Sequence, residues 1–185
     1  MIIYGEKVQL RAITPKDFPR LVAWSADAEV NRYLEGDYPL SLAECEAWLQ
    51  KAASSRHTQR FAVVSRHDGE LIGDIELDHI TWRSGDAELR IRIGERSRWD
   101  QGYGTDAVTA LLSHAFLSMH LSRVYLRVYS ANHRAIRCYE KAGFKKEGRI
   151  SRPAEDGQLR EVYLMRILKK EYMRGKNRKT AKYSA

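Results

Sequence analysis

The chain has 185 residues, a length that suits one domain, and 43% of them are hydrophobic, which is enough for a core. No apolar run is long enough to cross a bilayer and the first residues lack the pattern of a signal peptide, so we expect a cytoplasmic protein with no membrane partner. Cys45 and Cys138 form no CxxC pattern, which argues against a disulfide scaffold or a zinc site and favours two small buried side chains.

The net charge of +8 is concentrated at the C-terminus. Residues 169–185 hold seven lysines and arginines and a single acidic residue, Glu171, so this segment supplies +6 and leaves about +2 for residues 1–168. We interpret it as a solvated, fraying basic tail that follows a single domain at residues 1–168. RNA or ribosome binding through the tail is a second interpretation, but basic charge alone does not indicate a nucleic-acid partner.

The chain opens with a predicted strand and two predicted helices. Alternating apolar residues at positions 8–12 predict the strand. Thr14 followed by Pro15 predicts the start of the first helix. The capping-box spacing of Ser41 and Glu44 predicts the start of the second helix.

Three strands are predicted next. Residues 60–80 contain two strand-like runs around Asp68-Gly69, a dipeptide that favours a hairpin turn. Residues 85–94 alternate apolar and charged side chains and predict a third strand.

The rest of the chain alternates between helix and strand. Apolar residues between positions 108 and 119 share one helical face. A strand over residues 122–130 precedes a short helix, with Asn132 as its cap and Gly143 at its end. Two closing strands are joined by turn residues. The order is β-α-α-β-β-β-α-β-α-β-β, which predicts an α/β (α+β) fold with a mixed sheet flanked by helices.

The stretch SRWDQGYGTDAVTALLSHAF has two glycines, Gly102 and Gly104, directly before a helix. A helix N-terminus offers unpaired N–H groups and the positive end of the helix dipole to an anion. Glycines let a phosphate approach such a backbone and let the backbone take unusual dihedral angles. The stretch is therefore a candidate pyrophosphate cradle, although Gly-x-Gly alone fits a plain tight turn equally well and matches no known phosphate motif.

A second strand-to-helix junction lies at Tyr129 to Asn132. Asn132 and Tyr139 are about two turns apart and lie on the same side of the predicted helix. If the strands before the two helices are neighbours, both junctions face one cleft. Taken singly, Asn132 is explained as a helix cap and Tyr139 as a core residue.

These two motifs resemble those of the GNAT superfamily of acyl-CoA-dependent N-acetyltransferases. The first is similar to the family pattern Arg/Gln-x-x-Gly-x-Gly/Ala, with Trp99 in place of the first residue. The second is similar to Asn-x-x-Ala-x-x-x-Tyr-x-x-x-Gly-Phe, at Asn132, Ala135, Tyr139, Gly143 and Phe144. Within the superfamily the chain resembles the branch with RimJ/RimL-type ribosomal-protein N-terminal acetyltransferases and bacterial spermidine acetyltransferases.

The resemblance implies acetyl-CoA as co-substrate and no metal. Backbone N–H groups would wrap the pyrophosphate at Gln101, Gly102, Tyr103, Gly104 and Thr105. The strand at Ile91, Arg92 and Ile93 would bind the pantetheine arm through its backbone, in a gap where this strand splays from its parallel neighbour. Asn132 and Ala135 would also contact the coenzyme.

The implied chemistry is direct attack of a primary amine on the thioester in a ternary complex. The amine has a pKa near ~10.4 and must lose a proton, for which Glu88 at the start of the cleft strand is the candidate base. The proton could instead leave through a water chain, and Glu88 could be an ordinary surface carboxylate. Tyr139 is the candidate acid that protonates the leaving thiolate. A strand N–H stabilises the developing oxyanion.

The acceptor is less defined by the sequence. Acidic residues in the loop after the first helix, Glu35 and Asp37, and Glu161 on the last strand could attract a cationic substrate, while a solvated loop explains the first two better. The acceptor is a small-molecule amine, a polyamine among them, or a protein N-terminal amine. The chain could instead be a non-catalytic acyl-CoA-binding module or an RNA-associated protein, and the sequence is compatible with a homodimer.

Overall fold

The computed structural model describes the backbone of residues 1–183 and the side chains of residues 1–179. Its strands are β1 (Ile3–Tyr4), β2 (Val8–Arg11), β3 (Gln59–Ser65), β4 (Leu71–Thr81), β5 (Asp86–Ile93), β6 (Arg123–Tyr129), β7 (Lys145–Pro153) and β8 (Leu159–Leu168). Its helices are α1 (Phe18–Ser25), α2 (Ala28–Asn31), α3 (Leu42–Ala53), α4 (Tyr103–Ser113), α5 (His133–Ala142) and α6 (Lys169–Tyr183). Within residues 1–183, no helix has the length and apolar character needed to span a membrane.

The strands form one sheet in the order β1-β2-β3-β4-β5-β6-β8-β7. All neighbours are antiparallel except β5 and β6, which are parallel. The predicted element order is confirmed, and the structure adds β1, the single turn α2 and the C-terminal helix α6 to it. The sequence does not indicate these three, because β1 and α2 are too short to show a period and α6 has little apolar character.

The parallel pair β5–β6 separates almost as soon as it forms. Only Asp86 to Glu88 pair with β6, whereas β5 stays paired with β4 as far as Ile93. On its outer side, β6 is paired with β8 from Arg123 to Tyr129. The two strands therefore diverge beyond Glu88, which confirms the splay expected from the resemblance.

Two hydrophobic clusters cover the two faces of the sheet. The larger one joins the sheet to α4 and α5 and includes Leu89, Leu111, Leu126 and Ile136. The smaller one packs α1 and α3 on the side of β3, around Leu21, Trp24, Cys45, Ala62 and Val64. One face of the sheet is thus covered by an apolar cluster. On the other face, polar side chains occupy the part near β5 and β6.

The predicted helix ends agree with the structure in most details. A 3-10 turn at Pro15–Asp17, preceded by Thr14, leads into α1. Ser41 Oγ accepts a hydrogen bond from the N–H of Glu44 at 3.2 Å. The Glu44 carboxylate accepts from Leu40, one residue before the position that a capping box requires. Gly143 ends α5 in the left-handed conformation.

The C-terminal segment differs from the predicted fraying tail. Residues 169–183 form α6, and Tyr172 in its first turn packs against Phe116 with ring centroids 5.2 Å apart. Glu171 accepts the N–H of Leu168 at 3.1 Å and pairs with Arg166 at 2.7 Å. These contacts anchor the first turn of the basic segment to the rest of the fold. The composition of the segment does not reveal this, because the contacts are made with residues outside it. Residues 184–185 of the predicted tail lie outside the described residues.

Asp106, in the first turn of α4, connects this helix to the N-terminal strands through hydrogen bonds. Its carboxylate accepts hydrogen bonds from the backbone N–H groups of Glu6 at 3.0 Å, Lys7 at 2.7 Å and Val8 at 2.9 Å. Lys7 Nζ also donates to the carbonyl of Gln101 at 2.7 Å. The start of α4 is thus held by contacts to residues about a hundred positions earlier in the chain.

We predict that Asp106→Ala lowers the free energy of unfolding by about 2 kcal/mol, because three N–H groups lose a charged acceptor. Urea denaturation followed by circular dichroism measures the loss. Glu140→Ala, at an exposed position on α5, is the control and should stay within about 0.5 kcal/mol of the wild type. Equal stability of the two variants would contradict the anchoring role of Asp106.

Candidate active site

A cleft of about 480 Å³ opens where β5 and β6 separate. Its lining includes the N-terminal ends of α4 and α5 and the segment between α2 and α3. Of the predicted coenzyme residues, all but Gln101 line this cleft. The cleft therefore brings together both motifs that the sequence singled out.

The start of α4 has the geometry of an anion site. Gly102 adopts φ +83°, a left-handed conformation that favours glycine, and the helix begins at the next residue. The N–H of Asp106 makes the first intrahelical bond, to the Gly102 carbonyl at 3.0 Å. The N–H groups of Tyr103, Gly104 and Thr105 therefore have no intrahelical acceptor and are available to an anion.

Of the two properties predicted for the glycines, Gly104 has the bare backbone but not the unusual dihedral angles. Its φ lies outside the left-handed region, and a Cβ there would make ordinary contacts with Cys138 at 3.5 Å and Ile93 at 3.7 Å. Only Gly102 needs the conformational freedom of glycine. At Gly104 the absence of a side chain leaves the backbone open to the cleft. Cys138, predicted to be buried, lines the cleft here, and burial raises the pKa of its thiol.

Cationic side chains surround this end of the cleft. The lining residues include Arg98, Arg134, Arg137 and Lys141. The guanidinium of Arg134 stacks on the ring of Trp99 at 3.5 Å, which fixes its position. Together with the free N–H groups of α4, these charges suit a ligand with several phosphates. They were not identified from the sequence, in which the charges of α5 resemble an ordinary solvated helix face.

The edge of β5 that faces the gap has backbone groups without a strand partner. Gly94 donates to Ile72 on β4 at 3.0 Å, and backbone groups alternate in direction along a strand, so those of Arg92 also face β4. The backbone groups of Leu89, Ile91 and Ile93 consequently face the gap. Leu89 was missed by the sequence analysis, which did not establish the register.

Two of the predicted strand residues are already engaged. The carbonyl of Ile93 accepts a hydrogen bond from Trp99 Nε1 at 2.7 Å. Arg92 is 2% exposed, donates from Nε to Asp74 at 2.7 Å and lies 4.2 Å from the ring centre of Tyr38. The side chain of Arg92 is therefore buried beneath the cleft. Of the three predicted strand residues, Ile91 is the one whose backbone groups both remain available to the coenzyme arm.

The second motif forms the opposite wall. Asn132 caps α5, where its Oδ1 accepts from the N–H of Ala135 at 3.3 Å. Tyr139 lies two turns later, is 7% exposed and packs edge-on against Phe144 with centroids 5.8 Å apart. Burial raises the pKa of Tyr139, which keeps its phenol protonated at neutral pH. A protonated phenol that lines the cleft has the right state for a proton donor.

Glu88 stands at the point where the two strands part, and it is 3% exposed. Arg127 donates to its carboxylate from Nε at 2.9 Å and from Nη2 at 3.3 Å. Arg90 donates to the same carboxylate at 3.3 Å, and His79 Nδ1 lies 3.2 Å away. Both carboxylate oxygens of Glu88 therefore already have partners. A substrate amine that gives its proton to Glu88 must compete with them for the oxygens.

The three acidic residues predicted for the acceptor do not come together. Glu35 lines the cleft, where its carboxylate accepts from the Tyr129 hydroxyl at 2.5 Å and from Arg152 at 2.8 Å. Asp37 and Glu161 are not among the residues that line it. Glu161 lines a separate surface depression with Tyr129. These three residues therefore do not form one acidic patch, and only Glu35 lines the cleft.

Comparisons with known proteins agree with this geometry. Residues 7–145 match the model of the acetyltransferase (GNAT) domain family. The chain is 27% identical over 175 residues to the uncharacterized N-acetyltransferase p20 of Bacillus licheniformis, covering 92% of this chain and 97% of that protein. It is 28% identical over 170 residues to the spermidine N(1)-acetyltransferase of Escherichia coli, covering 91% and 90%.

The fold is also shared with solved structures. A crystal structure of spermidine N-acetyltransferase from Vibrio cholerae in complex with CoA and spermine superposes with a TM-score of 0.81. That chain is 26% identical, and the match covers 91% of this chain and 99% of the other. The family match spans both motifs and the two splayed strands β5 and β6. The chain therefore belongs to the acetyltransferase (GNAT) domain family and is an N-acetyltransferase.

Proposed function

We propose that the cleft binds acetyl-CoA with its pyrophosphate against the free N–H groups of Tyr103, Gly104 and Thr105. The observation that carries this proposal is the end of β5–β6 pairing at Glu88, which opens a gap beside the N-terminus of α4. The amide groups of the pantetheine arm can pair with the unpartnered backbone of Leu89 and Ile91, as a missing strand would. The Vibrio cholerae relative, solved in complex with CoA, supports coenzyme A as the ligand of this fold.

The reaction is transfer of the acetyl group to a primary amine by direct attack. The amine nitrogen attacks the thioester carbonyl after losing a proton to Glu88, either directly or through a water molecule. A backbone N–H of β5 that faces the gap stabilises the negative charge on the carbonyl oxygen. The tetrahedral intermediate then collapses with cleavage of the C–S bond, and Tyr139 donates its proton to the departing thiolate. The second proton that the nitrogen loses on becoming an amide restores the Tyr139 phenol through solvent, and the amide product leaves.

A small-molecule amine is the acceptor that we propose, since the cleft is walled by the segment between α2 and α3 on one side and by the sheet on the other. The names of the relatives include spermidine N(1)-acetyltransferases, which makes a polyamine the first compound to test. A cytoplasmic location remains a prediction from the sequence.

Gly102→Ala should weaken acetyl-CoA binding by about tenfold. An alanine at φ +83° costs roughly 1–2 kcal/mol, and the loop relieves this strain by leaving the conformation that presents its N–H groups. Isothermal titration calorimetry with acetyl-CoA measures the change in Kd.

Gly157→Ala is the matched control for this variant. Gly157 has φ +75°, meets no atom within 4 Å of an added Cβ and lies in the turn between β7 and β8. It should lose similar stability while its Kd for acetyl-CoA stays within about twofold of the wild type. Equal affinity in both variants would place the pyrophosphate elsewhere.

Tyr139→Phe should lower kcat by about a hundredfold, because the thiolate loses its proton donor. The Kd for acetyl-CoA should not change, since phenylalanine keeps the packing against Phe144. Stopped-flow detection of free thiol measures kcat, with Tyr172→Phe as a control outside the cleft. A Tyr139→Phe enzyme with full kcat would show that solvent supplies the proton.

Glu88→Gln should lower kcat/KM at neutral pH at least about tenfold, because glutamine cannot accept the proton of the amine. Activity should recover as the pH approaches the amine pKa near ~10.4, where solvent supplies the neutral amine. Asp17→Asn is the control, since Asp17 is a buried carboxylate held by Arg11 at 2.7 and 2.9 Å outside the cleft. A loss in Glu88→Gln that is the same at every pH would assign Glu88 a structural role only.

A further inference from the structure

The end of the cleft near Glu88 is lined by guanidinium groups as well as carboxylates, and Arg90 is shared among Glu76, Asp78 and Glu88. Its charged lining residues are two acids and three arginines: Glu35, Glu88, Arg90, Arg127 and Arg152. They project from the sheet face opposite α4 and α5 and from the segment between α2 and α3. Strand β5 leads from here toward the Gly102 loop, so this is the end at which the acceptor amine enters if the coenzyme binds as proposed.

Both carboxylates at this end already accept hydrogen bonds from neighbouring side chains, so an ammonium group must compete for them. Arg127 contacts both oxygens of Glu88, at 2.9 and 3.3 Å. One oxygen of Glu35 accepts from the Tyr129 hydroxyl at 2.5 Å and the other from Arg152 at 2.8 Å. A purely cationic substrate would have to displace these partners and would also meet their positive charges.

The arginines, in contrast, keep donors for a ligand. Arg127 uses Nε and Nη2 on Glu88, and Arg152 uses Nη1 on Glu35. Their side chains are 34% and 37% exposed. A guanidinium has five N–H donors, so among the contacts made by residues 1–179 each of these two groups has N–H donors left over. Its planar fork suits a carboxylate or a phosphate.

We infer that the acceptor is an amine that also carries an anionic group, a carboxylate or a phosphate. Arg127 and Arg152 bind the anionic group, and the amine reaches the gap beside Glu88. This inference rests on the proposed function and names the substrate class for the same site. It sets the chain apart from a polyamine acetyltransferase, because a polyamine has no group that these arginines can bind.

Pairs of amines that differ in the anionic group provide the test, with the full chain and thiol release from acetyl-CoA as the assay. Lysine and cadaverine differ by one carboxylate, and glucosamine 6-phosphate and glucosamine differ by one phosphate. In at least one pair, the anionic member should have a kcat/KM at least about tenfold higher. The pair that shows the preference identifies the anion as carboxylate or phosphate.

Arg152→Gln should reduce this preference at least about fivefold, through a higher KM for the anionic member, and Arg152→Lys should restore part of it. Arg149→Gln is the matched control, because Arg149 lies on the same strand, has a 75% exposed side chain and does not line the cleft. The control should leave the preference unchanged.

The outcomes separate the inference from the function on which it rests. If cadaverine, glucosamine or spermidine matches or exceeds the anionic amines, the inference is overturned while the N-acetyltransferase function stands. If no amine releases thiol from a protein that binds acetyl-CoA, the proposed function fails and the inference fails with it.

Discussion

The site depends on a parallel strand pair that stops after three residues. Buried backbone groups normally need partners, and leaving one unpaired costs about 1–3 kcal/mol. The edge of β5 at Leu89 and Ile91 nevertheless stays unpaired, because each of the two strands is held in place by the neighbour on its outer side. β4 holds β5 as far as Ile93, and β8 holds β6 as far as Tyr129. The gap is therefore a fixed feature of the sheet rather than a frayed end, and it offers strand-like pairing to a ligand with amide groups.

The anion site beside the gap is organised by contacts that lie outside it. Trp99 bonds the last carbonyl of β5, Lys7 bonds the carbonyl of Gln101, and Asp106 ties α4 to β2 and the turn before it. These contacts fix both ends of the glycine loop before a ligand arrives, so binding does not have to order it. Prepositioned N–H groups of this kind interact most strongly with charge because they need no reorganisation.

The sequence is sufficient for the element order and the two motifs, because periodicity and helix caps are local signals. The geometry of the site comes from contacts between distant segments, which those signals do not contain. The sequence places Arg92 on the coenzyme strand, but only its pairing with Asp74 fixes the direction of its side chain. The sequence shows that Glu35 is acidic, whereas Arg152, which neutralises it, lies 117 positions later in the chain. The anchoring of α6 through Tyr172 could not be predicted for the same reason.

The coenzyme half and the acceptor half of the cleft use different chemical groups. Sequence similarity to known enzymes is therefore more informative about the coenzyme than about the acceptor. In the binding mode that we propose, the coenzyme half works mainly through backbone groups, which depend little on the identity of most side chains. The acceptor half works through side chains from three strands and a loop, each of which can change without disturbing the fold. Charge at this end is set by how carboxylates and guanidinium groups pair, not by how many acids the sequence contains. The similarity to spermidine acetyltransferases therefore supports the reaction, while the acceptor that we infer rests on the arginines around Glu35 and Glu88.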